Sequence, residues 1–329
     1  MIRYLSFETN APEEYLPYFR SKRLILWTTV FALIFVNIPW EIIRGAEFTD
    51  IENYIERFSS GVNFSSLINE GFFLKYITSE SLWAALILYL KNLGLPLPLV
   101  FKSISFFSIF VFGYFTFKKS KSLFLSAFLL LNPLMVDFVM SQIRNSFALS
   151  IIIVAMLCNN KWIKLVLLLS STMIHSSSVV LIFLVYILNK TQYEGKYKNL
   201  GVLIIIGLFV AFTLSIGREY ILTLIGDRRA NIKQPQSSIL YSIFWVVYIG
   251  LIIYLKKLNV KDIYSKMSFT LILVFFASVV FGAYATRYLA ILLPFLIISV
   301  LSLKINKNRI LSSWVLLFYQ LILFTYWID

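Results

Sequence analysis

Apolar residues run along this chain in blocks long enough to cross a bilayer, not in the short alternations of a soluble core. About 20 apolar residues span a hydrocarbon core, and stretches of that kind cover residues 24 to 40, 97 to 117, 199 to 217, 238 to 255, 267 to 284, 285 to 303 and 309 to 328. Two further apolar regions are too long for one crossing. Residues 122 to 158 are interrupted by Asn132-Pro133 and then by Asp137, Gln142 and Arg144, and residues 161 to 189 by His175 and its serines.

The basic residues suggest how these regions are threaded. Clusters occur at Arg20, Lys22 and Arg23; Lys118, Lys119 and Lys121; Lys161 and Lys164; Lys190, Lys196 and Lys198; Lys256, Lys257, Lys261 and Lys266; and Lys304, Lys307 and Arg309. If each cluster is cytoplasmic, as the lysine and arginine bias of short loops predicts, the segments between successive clusters leave the cytoplasm and return. Both long regions then become helical hairpins. The limbs of the second, residues 162 to 174 and 177 to 189, are each only about 20 Å long at roughly 1.5 Å per residue, short of a hydrocarbon core of about 30 Å. Its tip, with His175, is expected within the outer half of the membrane, where non-helical backbone is tolerated only if buried in protein or lining a wet cavity.

Residues 41 to 81 hold seven carboxylates (Glu41, Glu47, Asp50, Glu52, Glu56, Glu70, Glu80) against three basic groups, which fits an outward face. Residues 80 to 95 are apolar, but counting them as a span puts Lys118 to Lys121 outside, so they read as a helix along the outer interface. The expectation is an all-α polytopic membrane protein of about 11 membrane helices, including the two hairpins with short or broken limbs. Residues 1 to 329 form a single membrane domain, with a cytoplasmic N-terminus over 1 to 23, an extracytoplasmic loop with its interfacial helix over 41 to 96, and a second extracytoplasmic loop over 218 to 238.

Composition narrows the function classes. Hydrophobic residues make up 59% of the 329 and charged residues 14%, and the formal charge is +14. In a membrane protein such an excess reflects lysine and arginine gathered in cytoplasmic loops, so nucleic acid is not an expected partner. One cysteine, Cys158, and one histidine, His175, leave little for a disulfide, zinc or haem, and neither a metal nor a cofactor is expected. Glu8, Pro12, Glu13 and Glu14 precede the first basic run, which is not the order of a cleaved signal peptide; the first apolar span is expected to stay as a signal anchor.

An arginine in an apolar helix costs several kcal/mol on insertion scales and is retained only with a partner or a ligand. Arg144 is the clearest case. Helical spacing puts Ser141, Asn145 and Ala148 near its stripe, a small and polar face suited to a cavity wall. Its structural alternative is an ion pair with Asp137 or with a carboxylate of the 41 to 81 segment. Arg287, in GAYATRYLA (282 to 290), opens a span, with an interfacial snorkelling arginine as the alternative. Arg218, Arg228 and Arg229 lie in the outer loop GREYILTLIGDRRANIKQPQSS (217 to 238), and any one of them alone is an ordinary solvated charge. As a set they offer guanidinium forks, which match phosphate oxygens bidentately. His175 reads either as a core histidine satisfied by a serine or carbonyl, or as a proton acceptor or anion ligand on the same side as the arginines. Asp50 and Glu70 are rival bases.

The pieces RGAEFTDIENY (44 to 54), INEGFF (68 to 73), SQIRNSFALS (141 to 150), MIHSSSVV (173 to 180) and TRYLAILLP (286 to 294), in this order, resemble the EpsG-like, Wzy-type membrane polymerases of bacterial surface polysaccharides. Asn145 stands where that family carries a glutamine, and Glu47 to Asp50 replace its usual glycine-aspartate pair. The resemblance implies a GT-C-like membrane glycosyltransferase architecture acting on undecaprenyl pyrophosphate-linked oligosaccharides, as donor and as acceptor, at the outer face of the bacterial inner membrane. A flippase and a chain-length regulator are implied as partners. On this reading Arg144 and Arg287 hold the pyrophosphate, with Arg218, Arg228 and Arg229 in support. His175 is base or phosphate ligand, and Asp50 or Glu70 is a sugar contact or alternative base. Tyr54 and Tyr288, with Trp40 and Trp83, stack on sugars or belong to interfacial belts. The competing classes are an O-antigen-ligase-type glycan transferase, a transporter or flippase of the lipid-linked glycan, and a membrane O-acyltransferase, which usually pairs its histidine with an acid in a short motif that His175 lacks.

Overall fold

A computed structural model describes residues 21–59, 80–120, 122–191, 196–225, 239–281, 286–303 and 307–328. Among these the chain is all α-helical, with fifteen helices: α1 Ser21–Asn37, α2 Trp40–Arg44, α3 Thr49–Ser59, α4 Ser81–Asn92, α5 Leu97–Lys119, α6 Leu123–Leu130, α7 Pro133–Met140, α8 Ile143–Leu157, α9 Lys161–Ile174, α10 Ser178–Lys190, α11 Lys196–Ile225, α12 Ile239–Leu255, α13 Ile263–Val280, α14 Thr286–Leu301 and α15 Lys307–Ile328. Among the described residues, each of the seven apolar blocks singled out above overlaps a helix.

Among the described residues, four stretches are long and apolar enough to cross a membrane: Leu97–Lys119, Tyr197–Ser215, Ile263–Val280 and Asn308–Trp327. A fifth is the pair α6 and α7, one apolar stretch bent by 66° at Leu131 and Asn132. This is the architecture of a multi-pass membrane protein. The bend has a local cause. Pro133 has no N–H to continue the helix but fits its first position, and the Asn132 side chain accepts a hydrogen bond from the Leu134 N–H at 3.0 Å, capping the new start.

The second long region breaks at His175, as its sequence predicts. Asn160 caps α9 by accepting from the N–H groups of Trp162 (2.9 Å) and Ile163 (3.3 Å). The helix stops where His175 turns extended, at φ −147° and ψ 116°. Its N–H still donates to the Ser171 carbonyl, and its own carbonyl accepts from the Ser178 N–H, both at 3.0 Å. The break therefore leaves neither backbone group of His175 unpaired, which an apolar setting requires.

The chain divides into two compact units, residues 1–183 with 316–329, and residues 184–315. In the first, α5 is the central helix, packing on α1, α3, α4, α6, α7 and α8, while α8 packs on α9 and α9 on α4. The apolar segment after residue 80 is helical, as α4, and it buries Trp83, Ala84, Ile87 and Leu88. In the second unit, α13 is central and packs on α11, α12 and α14. Asp262 caps α13 by accepting from the Ser265 N–H at 2.8 Å, and it pairs with Lys256 at 3.2 Å.

Candidate active site

Four helices of the first unit bring polar groups to one place inside an apolar cluster. Tyr54 projects from α3, Glu80 precedes the first residue of α4, Arg144 is the second residue of α8, and His175 ends α9. The surrounding cluster includes Trp83, Ile87, Phe101, Ile143, Ala148 and Ile174, with Tyr54 and Phe147 packed against it.

Glu80 is the hub. The residue is only 5% exposed, and its two carboxylate oxygens serve different partners. Oε2 accepts from Arg144 Nη1, and Oε1 lies 2.7 Å from His175 Nδ1. A guanidinium can only donate, so the carboxylate it pairs with serves as an acceptor. The proton on this contact therefore belongs to Nδ1, and in the neutral imidazole the lone pair lies on Nε2. Glu80 also has a left-handed backbone, φ 57° and ψ 41°. A non-glycine residue in that region stores about 1–3 kcal/mol that its surroundings must offset.

Arg144 is held on three sides. Its Nε donates to the Tyr54 hydroxyl at 2.6 Å, Nη1 goes to Glu80, and the guanidinium carbon lies 5.1 Å from the centroid of the Tyr54 ring. Nη2 makes no hydrogen bond among the described residues, and the side chain keeps 23% of its exposure. Tyr54 is itself seated against Trp83 and Phe101, each 5.9 Å away between ring centroids. The result is an oriented cation with donors to spare, next to an oriented imidazole, in a largely apolar surround. Such an arrangement can bind an anion and accept a proton within one site.

The EpsG family model matches residues 24–329. The chain belongs to the EpsG family. Neither a search of curated proteins nor one of solved structures finds a match to it. Membership gives it a polysaccharide polymerase-type function in polysaccharide biosynthesis at a membrane.

Of the residues expected to carry the chemistry of this EpsG-family chain, Arg144, His175 and Tyr54 come together. Asp50 is half-buried in the first turn of α3, four residues before Tyr54 and so on the same side of the helix. Close by in sequence, Glu52 shares a hydrogen bond with Glu47; that bond, the Glu47 charge, slight burial and Glu41 push its carboxyl above the usual range. Arg287 and Tyr288 open α14 in the other unit, Arg287 exposed and Tyr288 half-buried. Arg218 falls on α11. Glu70, Arg228 and Arg229 lie outside the described residues.

Two structural alternatives also resolve. Arg144 pairs with a carboxylate of the 41 to 81 segment and not with Asp137, which pairs with Arg44 at 3.5 Å and accepts from Gln142 at 3.3 Å. Trp40 and Trp83 are 4% and 2% exposed, so neither indole presents a face to a sugar. The Trp40 N–H is satisfied by the Phe35 carbonyl at 2.7 Å. Glu80 itself had no candidate role in the sequence. The signal for it is electrostatic: an arginine in an apolar run requires a counter-charge, and Glu80 is an acid at the start of an apolar run.

Proposed function

We propose that this EpsG-family protein joins undecaprenyl pyrophosphate-linked oligosaccharide repeat units into surface polysaccharide by metal-independent glycosyl transfer. The chain has about 11 membrane helices in a GT-C-like arrangement, its N-terminus is cytoplasmic, and the site opens on the extracytoplasmic side of the bacterial inner membrane. The observation that carries this reading is the group of Arg144, Glu80 and His175, in which a fixed guanidinium and a fixed imidazole share one buried carboxylate.

A sugar 1-diphosphate already carries its leaving group, so the protein has two tasks. It must stabilise charge on the departing diphosphate and remove the proton of the attacking hydroxyl. In the proposed step the acceptor oxygen bonds to the anomeric carbon, and its proton passes to Nε2 of His175. The bond to the diphosphate breaks with its electron pair on the leaving oxygen, where Arg144 Nη2 donates. Arg287 also serves pyrophosphate binding, with Arg218, Arg228 and Arg229 in supporting roles. Asp50 or Glu70 is a sugar contact or an alternative base, and Tyr54 and Tyr288 are sugar contacts. A histidine paired with an acid also suits acyl transfer; family membership favours the glycan. The test compares wild type with His175→Ala and Arg144→Ala on a verified lipid-linked repeat unit. Both variants are expected to lose the product ladder, and ladders of undiminished intensity from both would overturn the site.

A further inference from the structure

We propose that Glu80 is a positioning residue that sets the tautomer of His175 and the orientation of Arg144 through a single carboxylate. This deepens the proposed function, and it rests on that reading for its consequence to turnover but not for its structural content. Three features separate Glu80 from a surface counter-ion. Its side chain is 6% exposed, its oxygens are divided between two partners 31 residues apart on α8 and α9 (175 − 144), and its own backbone is left-handed. The surroundings therefore hold it against a local conformational preference.

The chemistry of the divided carboxylate is restrictive. Arg144 can only donate, so the oxygen facing Nη1 must accept. The other oxygen also accepts, which requires Nδ1–H on the imidazole and leaves the lone pair on Nε2. The same contact at Nη1, with the Tyr54 hydroxyl at Nε, leaves Nη2 as the nitrogen that can meet a diphosphate oxygen. One residue thus sets the proton acceptor and the anion donor in register.

Glu80→Gln tests this without changing shape. The amide oxygen must face Arg144, because an NH2 there would meet another donor. The amide NH2 is then forced toward Nδ1, which it can engage only if Nδ1 carries the lone pair. The substitution therefore inverts the tautomer while preserving both contacts. A comparable wrong-tautomer change in a serine protease costs roughly 10⁴ in kcat.

His175 is the single histidine of the chain, so biosynthetic labelling with ¹⁵N-imidazole histidine gives signals that need no assignment. In the purified full-length protein, wild type is expected to show a protonated Nδ1 and an unprotonated Nε2 in its neutral form. Glu80→Gln is expected to show the reverse. Glu80→Asp keeps an acceptor-only group and is expected to retain the wild-type pattern. In the polymerisation assay, Glu80→Gln should lower kcat by about 10³-fold or more with KM for the donor changed less than about threefold, since Arg144 keeps its partner. A protonated Nε2 in the wild type, or an unaltered tautomer in a folded Glu80→Gln, would overturn the proposal, as would equal losses in kcat and in donor affinity. The wild-type spectrum decides even if Glu80→Gln does not fold. It also separates the two readings: the expected spectra from a protein that makes no polymer would leave the tautomer assignment standing and refute the polymerase.

Discussion

Replacing Glu80 by alanine removes the counter-charge of Arg144 and leaves a non-glycine residue at φ 57°. Breaking a buried ion pair by deleting one partner costs about 3–5 kcal/mol, because the other charge stays behind unpaired. The Arg144 side chain keeps 23% of its exposure, so water shares the burden and the lower end, about 3 kcal/mol, applies. Glycine at the same position loses the same pair but relieves the left-handed strain of about 1–2 kcal/mol. Its more flexible unfolded chain returns about 0.4–1 kcal/mol of that gain. Glu80→Gly should therefore be about 1 kcal/mol more stable than Glu80→Ala, the reverse of the order in an ordinary helix. Combining Glu80→Ala with Arg144→Met removes the stranded cation and should recover most of the loss. Thermal unfolding in detergent resolves these differences at about 2 °C per kcal/mol for a chain of this size. Glycine at or below alanine would refute the strained backbone, and additive losses in the double variant would refute the buried pair.

Two further outcomes test the second unit. A Cβ added at Gly207 would stand 2.9 Å from Leu273 Cβ, so α11 and α13 must part; the cost of about 1–3 kcal/mol exceeds the gain of about 1 kcal/mol from helix propensity. On the same helix, a Cβ at Gly201 meets nothing within 4 Å, so Gly207→Ala should lower Tm and Gly201→Ala raise it; shifts of the same sign would contradict the packing. Asp262 has its carboxyl below the ordinary value of 3.8: burial raises it, but the Lys256 charge and the hydrogen bonds of Ser265 and Lys256 outweigh that effect. A lowered carboxyl stabilises the fold above its unfolded value and loses that contribution as pH falls through the folded one. The Tm difference between wild type and Asp262→Asn should hold at pH 5 and above and shrink below about pH 4, and a difference that grows on acidification would refute the pairing.

Much of the scaffold was legible in the sequence because membrane helices announce themselves by length and composition. Asn132-Pro133 and His175 marked the breaks because an apolar setting tolerates such residues only where a helix stops. Arg144 and His175 were legible for a related reason: a cation or an imidazole in an apolar run is costly enough to require an explanation. Glu80 was not, since an acid at the edge of an acidic, outward-facing segment costs nothing until the fold buries it. Its partners lie 64 and 95 residues away, and local periodicity carries no information over such a distance. The same limit applied to Asp137, whose partner turned out to be Arg44, and to Trp83, whose burial depends on how α4 lies against its neighbours.

The most direct test of the central claim uses purified wild-type protein in liposomes, with its verified cognate lipid-linked repeat unit and a metal chelator present. A ladder of lengthened glycans is expected, with one molecule of lipid diphosphate released for each new glycosidic bond. Movement of the lipid-linked unit across the bilayer with no new bond formed would contradict the account.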